Sequence, residues 1–548
     1  MPKTGTTKQP DVGDYFDNFN FPSAGIDLSM PVSRQPARQI AQEKWAKTTP
    51  LGINVRVFEA STGQMKGGSR SGLSRWVNEQ VNGTRLIQGI NVLVGTGYTA
   101  PGGVVQTSQS GRVVTLVVVS GGTVKVANAG ATSYTSVTDG TAALNTSGIV
   151  FSAPNNQKLY FVDGTNWKYY DPSTNAMYAW VATRGSLPVD GAGNAPRLIC
   201  TWRGRTLLAG LLNSPQALFG SAVRDPTDFE YSGQLVEGAL ETTANQAFSL
   251  TLGSFGDTGD VITCLIPFND DIAIVGMDHT IRILRGDPMA GGDIGLISDG
   301  IGMAWGAAWC KDPYGNIYFV SNRTAIYRLT PGQPPQRISQ GIDPLLQEIN
   351  TGTNTISLAW DDGEQSLHVW ITPTAAAAAT KHYALEARVG ALWQDVYANK
   401  NHNPLCCCTF DGNLPEDRVT LIGSWDGFVR KLDRDATTDH HTLIESSVLI
   451  GAIVSKTFDN LRLKELVPEF ATNSGGVNYE VFVGTSAQEA LDSEPVETGV
   501  WQAGRNDATP VRRDGHALYL GMNSTNQWAM ERIRGKLAAT GPVGARSR

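Results

Sequence analysis

The sequence predicts an all-β protein: a β-propeller of six or seven blades followed by a C-terminal β-sandwich. Charged residues are only 17% of the chain, below the usual quarter, and Gly reaches 60 residues, a composition of short strands and tight turns. A strand–turn–strand–turn–strand theme recurs from about residue 85 to 435, at the spacing of propeller blades. Beyond 445 the theme gives way to longer alternating segments, the pattern of a sandwich.

Residues 1–50 scatter Pro, Gly, Asp and Asn with poor apolar periodicity, so they read as an extended arm ordered by a neighbouring molecule. A short helix is expected near Arg38–Lys47. The propeller is assigned to 51–440. Its clearest repeat runs Val261–Pro267, the turn Asn269-Asp270-Asp271, Ile272–Val275, the turn Met277-Asp278-His279 and Ile281–Leu284. Trp309–Leu329, Ile356–Ile371 and Cys406–Leu432 repeat it. First turns fall near residues 110, 155, 203, 270, 314, 362 and 413, in steps of about 45 to 50 with one of about 67. The long step holds an acidic insertion at 225–260. The strand at Leu86–Val94 is expected to pair with the last blade and close the ring. An open hairpin array or one large sandwich is the competing architecture.

The β-sandwich is assigned to 445–540, with strands at Val448–Val454, Val477–Val483 and Ala517–Leu520 and one or two helical turns at Ser486–Leu491. Residues 541–548 read as a flexible tail.

The net charge of −7 argues against a sequence-specific DNA binder, which needs a basic face for phosphates. Six cysteines lack CxxC spacing, and three stand in a row at Cys406–Cys408, where adjacent strand residues face opposite ways. They read as free buried thiols, which fits a reducing compartment. The N-terminus shows no apolar signal region, and no stretch of eighteen apolar residues suggests a membrane span.

Catalytic signatures are sparse. The chain lacks GxSxG, P-loop, HExxH and EF-hand patterns. Trp425-Asp426 is a lone WD dipeptide in a tight Gly turn, and Gly63, Gly67 and Gly68 lack the context of a phosphate loop. His440 and His441, beside Asp433, Asp435 and Asp439, read as a solvated linker rather than a metal site. No catalytic, metal or cofactor-binding residue is expected, and no cofactor. The first turns of a propeller share one face, and four of them carry acid: Asp270 and Asp271; Asp312; Asp361, Asp362 and Glu364; Asp411, Glu416 and Asp417. The insertion adds Asp225, Asp228, Glu230, Glu237, Glu241, Asp257 and Asp260, with no Lys or Arg. Glu237, Glu241, Asp270, Asp271, Asp361, Asp362 and Glu364 are the candidate lining of a DNA channel; a solvated turn set is the plainer reading.

RLICTWRGRTLLAG with ALFGSAVRDPTDFE, the long run from VITCLIPFNDD to IYRLTPG, NVRVFEASTGQMKGGSRSGL and RRDGHALYLGM together resemble the tail nozzle, or tail tubular protein B, of short-tailed bacteriophages. The resemblance is one of texture and phrase over most of 50–535. It implies a non-enzymatic virion protein, assembled in the host cytoplasm into a homohexameric ring below the portal and adaptor. DNA would pass the ring without sequence-specific binding, and tail fibres are candidate partners. Six copies would carry six times the charge of −7, which repels phosphate. Two other readings stand beside it: a carbohydrate-binding or carbohydrate-cleaving propeller, and a monomeric scaffold. The tryptophans, Trp305 among them, read as core or inter-blade residues.

Overall fold

Arg112–Ser120 (RVVTLVVVS) shows why these strands form blades. Alternate strand residues face opposite ways, and here both faces are apolar. Val114, Leu116 and Val118 pack with Cys406, Phe410 and Leu421, whereas Val117 and Val119 pack with Leu159, Phe161 and Tyr170. Such a strand is stable only with a sheet on each side, and each fully buried Val or Leu contributes about 1.5–3 kcal/mol.

The computed structural model describes residues 15–32, 37–40, 44–99, 111–141, 143–231, 243–252, 259–374, 380–454 and 459–542. The chain divides into two units, Leu73–Ala384 with Asn399–Asp433, and Met1–Gly72 with Leu385–Ala398 and Arg434–Arg548.

The first unit is a propeller with seven blades among the described residues. Their inner strands are Ile87–Thr96, Phe151–Asn155, Leu198–Trp202, Ile262–Pro267, Trp309–Lys311, Asn354–Asp361 and Pro404–Asp411, defining blades I to VII in that order. Each blade continues outward through antiparallel neighbours, as in blade IV: Ile272–Met277, Thr280–Arg285 and Asp293–Asp299. Tight hairpins hold the strands: Asn156 and Gln157 both take positive φ (48° and 59°), as a two-residue type I′ turn requires.

Shared cores join the blades in sequence. Leu208 of blade III meets Tyr160 and Val162 of blade II, while Leu207 and Ala209 meet Ala273 and Val275 of blade IV. Cys264 and Ile266 of blade IV pack with Ile317 and Phe319 of blade V. Tyr318 of blade V stacks on Trp360 of blade VI with centroids 5.8 Å apart, and Thr420 of blade VII donates to Asp361 of blade VI at 3.1 Å. Ile87 of blade I, in one cluster with Cys406 and Val429 of blade VII, completes the ring.

Closure differs from the expectation for Leu86–Val94. Ile87–Thr96 is the inner strand of blade I and pairs with Arg112–Ser120. The strand added to the last blade is Gly72–Arg75, beside Val429–Asp433. It is four residues, Gly-Leu-Ser-Arg, with a single apolar side chain, so periodicity does not mark it.

The second unit is a β-sandwich. One sheet orders Ala391–Asp395, Gly52–Ile53, Ser446–Val454, Ala517–Ser524, Val477–Gly484 and Glu497–Trp501. The other orders Tyr15–Asn18, Met530–Pro542 and Asp459–Phe470, which also carries Gly504–Arg505 and Thr509–Gly515. Phe470 lies 6.0 Å from Trp501 and 6.2 Å from Trp528 in the core. The one described helix of this unit is Ala487–Asp492, capped by the Ser486 hydroxyl accepting from Glu489 N at 3.1 Å.

The expected arm at 1–50 is, in its described part, a piece of this sandwich. Tyr15–Asn18 pairs with Arg534–Leu537, Phe19 is buried against Gly535, and Phe21 packs 5.7 Å from Trp393. Phe19, Phe21, Ala24 and Ile26 are all buried, although the segment's periodicity is poor. The helix expected near Arg38–Lys47 is a hairpin of Ala37–Ile40 with Lys44–Lys47. Val55–Phe58 and Met65–Ser69, assigned by sequence to the propeller, form a hairpin of the sandwich unit, and Leu385–Ala398 joins it too.

Charge holds these segments together. Arg56 forks onto Asp395 at 2.9 and 2.7 Å, and Arg70 onto Asp439 at 2.9 and 2.6 Å, all four side chains being buried. The Asp439 bond corrects the solvated-linker reading of the His440 region.

Candidate functional site: the turn face and the axial cavity

Turns between the first and second strands of successive blades leave the propeller on one face, together with the connections between third and fourth strands. Asp270 and Asp271 are exposed on the blade IV turn. Asp361, Asp362 and Glu364 occupy the equivalent turn of blade VI, two blades away, so the structure does not join the two groups into one site. Asp361 is spent locally: it accepts from Glu364 N at 2.8 Å and from Thr420. Asp312 is buried and caps its own turn, accepting from Tyr314 N, Asn316 N and the Asn316 amide.

The face is less uniformly acidic than the turns alone suggest. Arg203 meets Asp271 at 3.2 Å and donates to the Asp270 carbonyl at 2.7 Å. Arg112 and Arg418 flank Asp411 at 3.4 and 3.2 Å. Arg203 and Arg112 come from the turns of neighbouring blades, whereas Arg418 stands across the same hairpin from Asp411. Burial, reinforced by Glu416, raises the Asp417 carboxyl above its ordinary value.

Glu237 and Glu241 lie outside the described residues, as does Asp257. The insertion leaves blade III between its third and fourth strands, Ala217–Gly220 and Phe248–Thr251. Its described acids are structural. Asp228 is buried and pairs with Arg184 at 3.1 Å, and buried Asp260 accepts from His279 N and the Thr280 hydroxyl. This corrects the view of the insertion as wholly uncompensated: Arg184 sits far upstream in the chain. Below the loop, Arg205 is buried beneath Ala244 and Gln246, whose carbonyls it binds at 2.7 and 2.6 Å.

The opposite face, where the inner strands begin, opens into a cavity of about 800 Å³ on the propeller axis. Gly89–Asn91, Val150–Ser152, Ile356 and Leu405–Cys407 wall it, and Arg197, Trp305 and Trp425 stand at its rim. Trp305 is 38% exposed, which corrects its reading as core, and Arg197 lies over its ring at 4.7 Å. Asp163 is the one carboxylate of the lining, and its oxygens accept from Asn145 N, Thr165 N, Asn166 N and the Asn166 amide. Sequence reasoning missed this trio. Its only trace is position, Arg197 and Trp305 standing before an inner strand and Trp425 in the turn between second and third strands, which requires the blade register to see.

Trp425-Asp426 is part of a turn: Asp426 forks onto buried Arg430 at 2.9 and 2.6 Å. The six cysteines are free, and burial raises every thiol, that of Cys264 to about 12 and that of Cys407 to about 12. Among the described residues no three His, Cys, Asp or Glu side chains converge as metal ligands, and no helix is long and apolar enough to cross a membrane.

No family model matches the chain, and no curated protein matches it. Solved structures with a similar course include YCF48 bound to D1 peptide, at 12% identity and a TM-score of 0.38 over 66% of this chain and 97% of that one. The extracellular domain of BT4673 from B. thetaiotaomicron matches at 11% identity and 0.40, over 95% of this chain and 67% of that one. The N-terminal domain of Nup159 matches at 9% and 0.37, over 66% and 96%.

Proposed function

We propose that the chain is a structural ring component of a short-tailed phage tail, the nozzle through which DNA leaves below the portal and adaptor. The observation that carries this reading is the resemblance in RLICTWRGRTLLAG and the run from Val261 to Gly332. These phrases build three consecutive blades, III to V, so the resemblance is to a structural repeat rather than to a catalytic signature. In this reading six copies surround the DNA, and the exposed turn acids Asp270 and Asp362 contribute to a surface that phosphate does not wet. The path for DNA runs between copies, since a cavity of about 800 Å³ inside one propeller is too small for a duplex.

Mass photometry of the purified chain, with and without its adaptor protein, tests the reading. A species of six times the 58.7 kDa chain mass is expected. A chain that stays monomeric in both samples and is missing from particles overturns it, in favour of a scaffold. A carbohydrate-binding propeller is the second reading, supported by the tryptophan-bearing axial cavity. The spent state of Asp163 favours binding there over the paired acid and base that cleavage needs.

A further inference from the structure

The axial cavity has a chemical bias that its composition alone does not show. Its volume, about 800 Å³, lies in the range of small-molecule sites, and its wall is mainly apolar with a few polar groups at the rim. Those polar groups sort by whether they are already used. Asn91 is consumed: its amide nitrogen donates to the Ser152 carbonyl and hydroxyl, and its oxygen accepts from Val92 N. Asp163 is consumed by four donors.

Arg197 is different. Its Nε donates to the Gly210 carbonyl at 3.3 Å, and its guanidinium carbon lies 4.7 Å from the Trp305 ring centroid. Its two terminal nitrogens have no partner among the described residues. The indole nitrogens of Trp305 and Trp425 have none either, and both rings border the cavity. The rim therefore offers unspent donors and a fixed positive charge, alongside two indoles, and no unspent carboxylate. A guanidinium anchored through Nε leaves its two terminal nitrogens for the two oxygens of a carboxylate. Indole planes favour an apolar ring face.

We infer that the mouth of the propeller axis binds a carboxylate-bearing ring with a flat apolar face, the chemistry of an acidic sugar such as a uronate. Arg197 takes the carboxylate, and Trp305, beside which Arg197 lies, borders the ring. The site lies on the face opposite the acidic turns, and the inference is independent of the nozzle reading.

The test is titration of the full-length chain with D-glucuronate, followed by tryptophan fluorescence and by calorimetry, with D-glucose and acetate as parallel probes. Saturable binding of glucuronate is expected, with glucose and acetate each at least about tenfold weaker, the factor carried by one charge-assisted hydrogen bond. Arg197→Gln should weaken glucuronate by about tenfold as well. Trp305→Ala should weaken it while retaining the preference over glucose. Arg462→Gln, at a surface pair with Asp514 in the sandwich unit, is the control and should bind as the parent does. Circular dichroism confirms that each variant is folded. Four results would overturn the inference: no saturable signal, glucose equal to glucuronate, acetate equal to glucuronate, or a folded Arg197→Gln that binds unchanged.

Discussion

Replacing Arg205 should be among the most damaging single changes in the propeller. Its side chain is fully buried, and all five of its N–H groups have acceptors. Nε and one terminal nitrogen fork onto Asp287 at 2.8 and 3.1 Å. The rest reach the carbonyls of Ser221, Ala244 and Gln246 at 2.7, 2.7 and 2.6 Å. Asp287 also caps the turn Pro288–Ala290 by accepting from Met289 N. Arg205→Ala leaves a buried carboxylate with that one N–H, so the loss should be about 3–5 kcal/mol. Asp287→Ala strands the guanidinium and should cost a similar amount. The double variant should lose clearly less than the two single losses together, because neither charge is then left alone; a coupling of about 2 kcal/mol is expected. Urea denaturation followed by tryptophan fluorescence measures all three. A single-variant loss below about 1 kcal/mol, the level of an exposed pair, or strictly additive losses, would refute the reasoning.

Three further outcomes follow from other residues. Asp190 accepts from the Asn194 side chain first, then from the backbone of Asn194, Asn213 and Ala192, which holds its carboxyl down at about 2. A depressed folded value means its stabilisation is present above the ordinary value of 3.8 and is lost as pH falls through about 2; Asp190→Asn should flatten the midpoint-against-pH curve between those values, and an unchanged slope contradicts this. Gly427 sits at φ 79°, and a Cβ there would come within 2.1 Å of the Gly83 carbonyl oxygen, so Gly427→Ala should destabilise the propeller by more than the about 1–3 kcal/mol of left-handed strain, as thermal denaturation would show. In assembled particles, lysine at both Glu237 and Glu241 should slow DNA release, most at low salt where screening is weak; unchanged release at every salt concentration, with assembly intact, means these residues do not line the path.

Much of the propeller was legible because its signals are local. The first-turn positions near 155, 203, 270, 314, 362 and 413 fall in or beside the hairpins of blades II to VII, where Asn, Asp and Gly supply turn chemistry; the one near 110 lies outside the described residues. What was not legible is non-local. Gly72–Arg75 completes a blade whose other strands lie far along the chain, and four residues of mixed character carry no mark of that pairing. Leu385–Ala398 reads as blade yet belongs to the sandwich unit, where Arg56 meets Asp395. The channel acids were legible as residue types but not as a site: Arg203 reaches Asp271 from a neighbouring blade's turn, Asp361 is taken up by Glu364 N and Thr420, and Glu237 and Glu241 lie outside the described residues. The cavity lining of Arg197, Trp305 and Trp425 escaped for the same reason: three residues from three connections face one cavity only when the ring closes.

The most direct test of the central claim is an electron cryomicroscopy reconstruction of particles that contain this chain, focused on the tail below the portal. Six propellers, each with seven blades, are predicted around the DNA path, with the exposed acids of the blade IV and blade VI turns towards the axis. Tail density into which no seven-bladed propeller can be placed, in particles shown by mass spectrometry to contain the chain, would contradict the account.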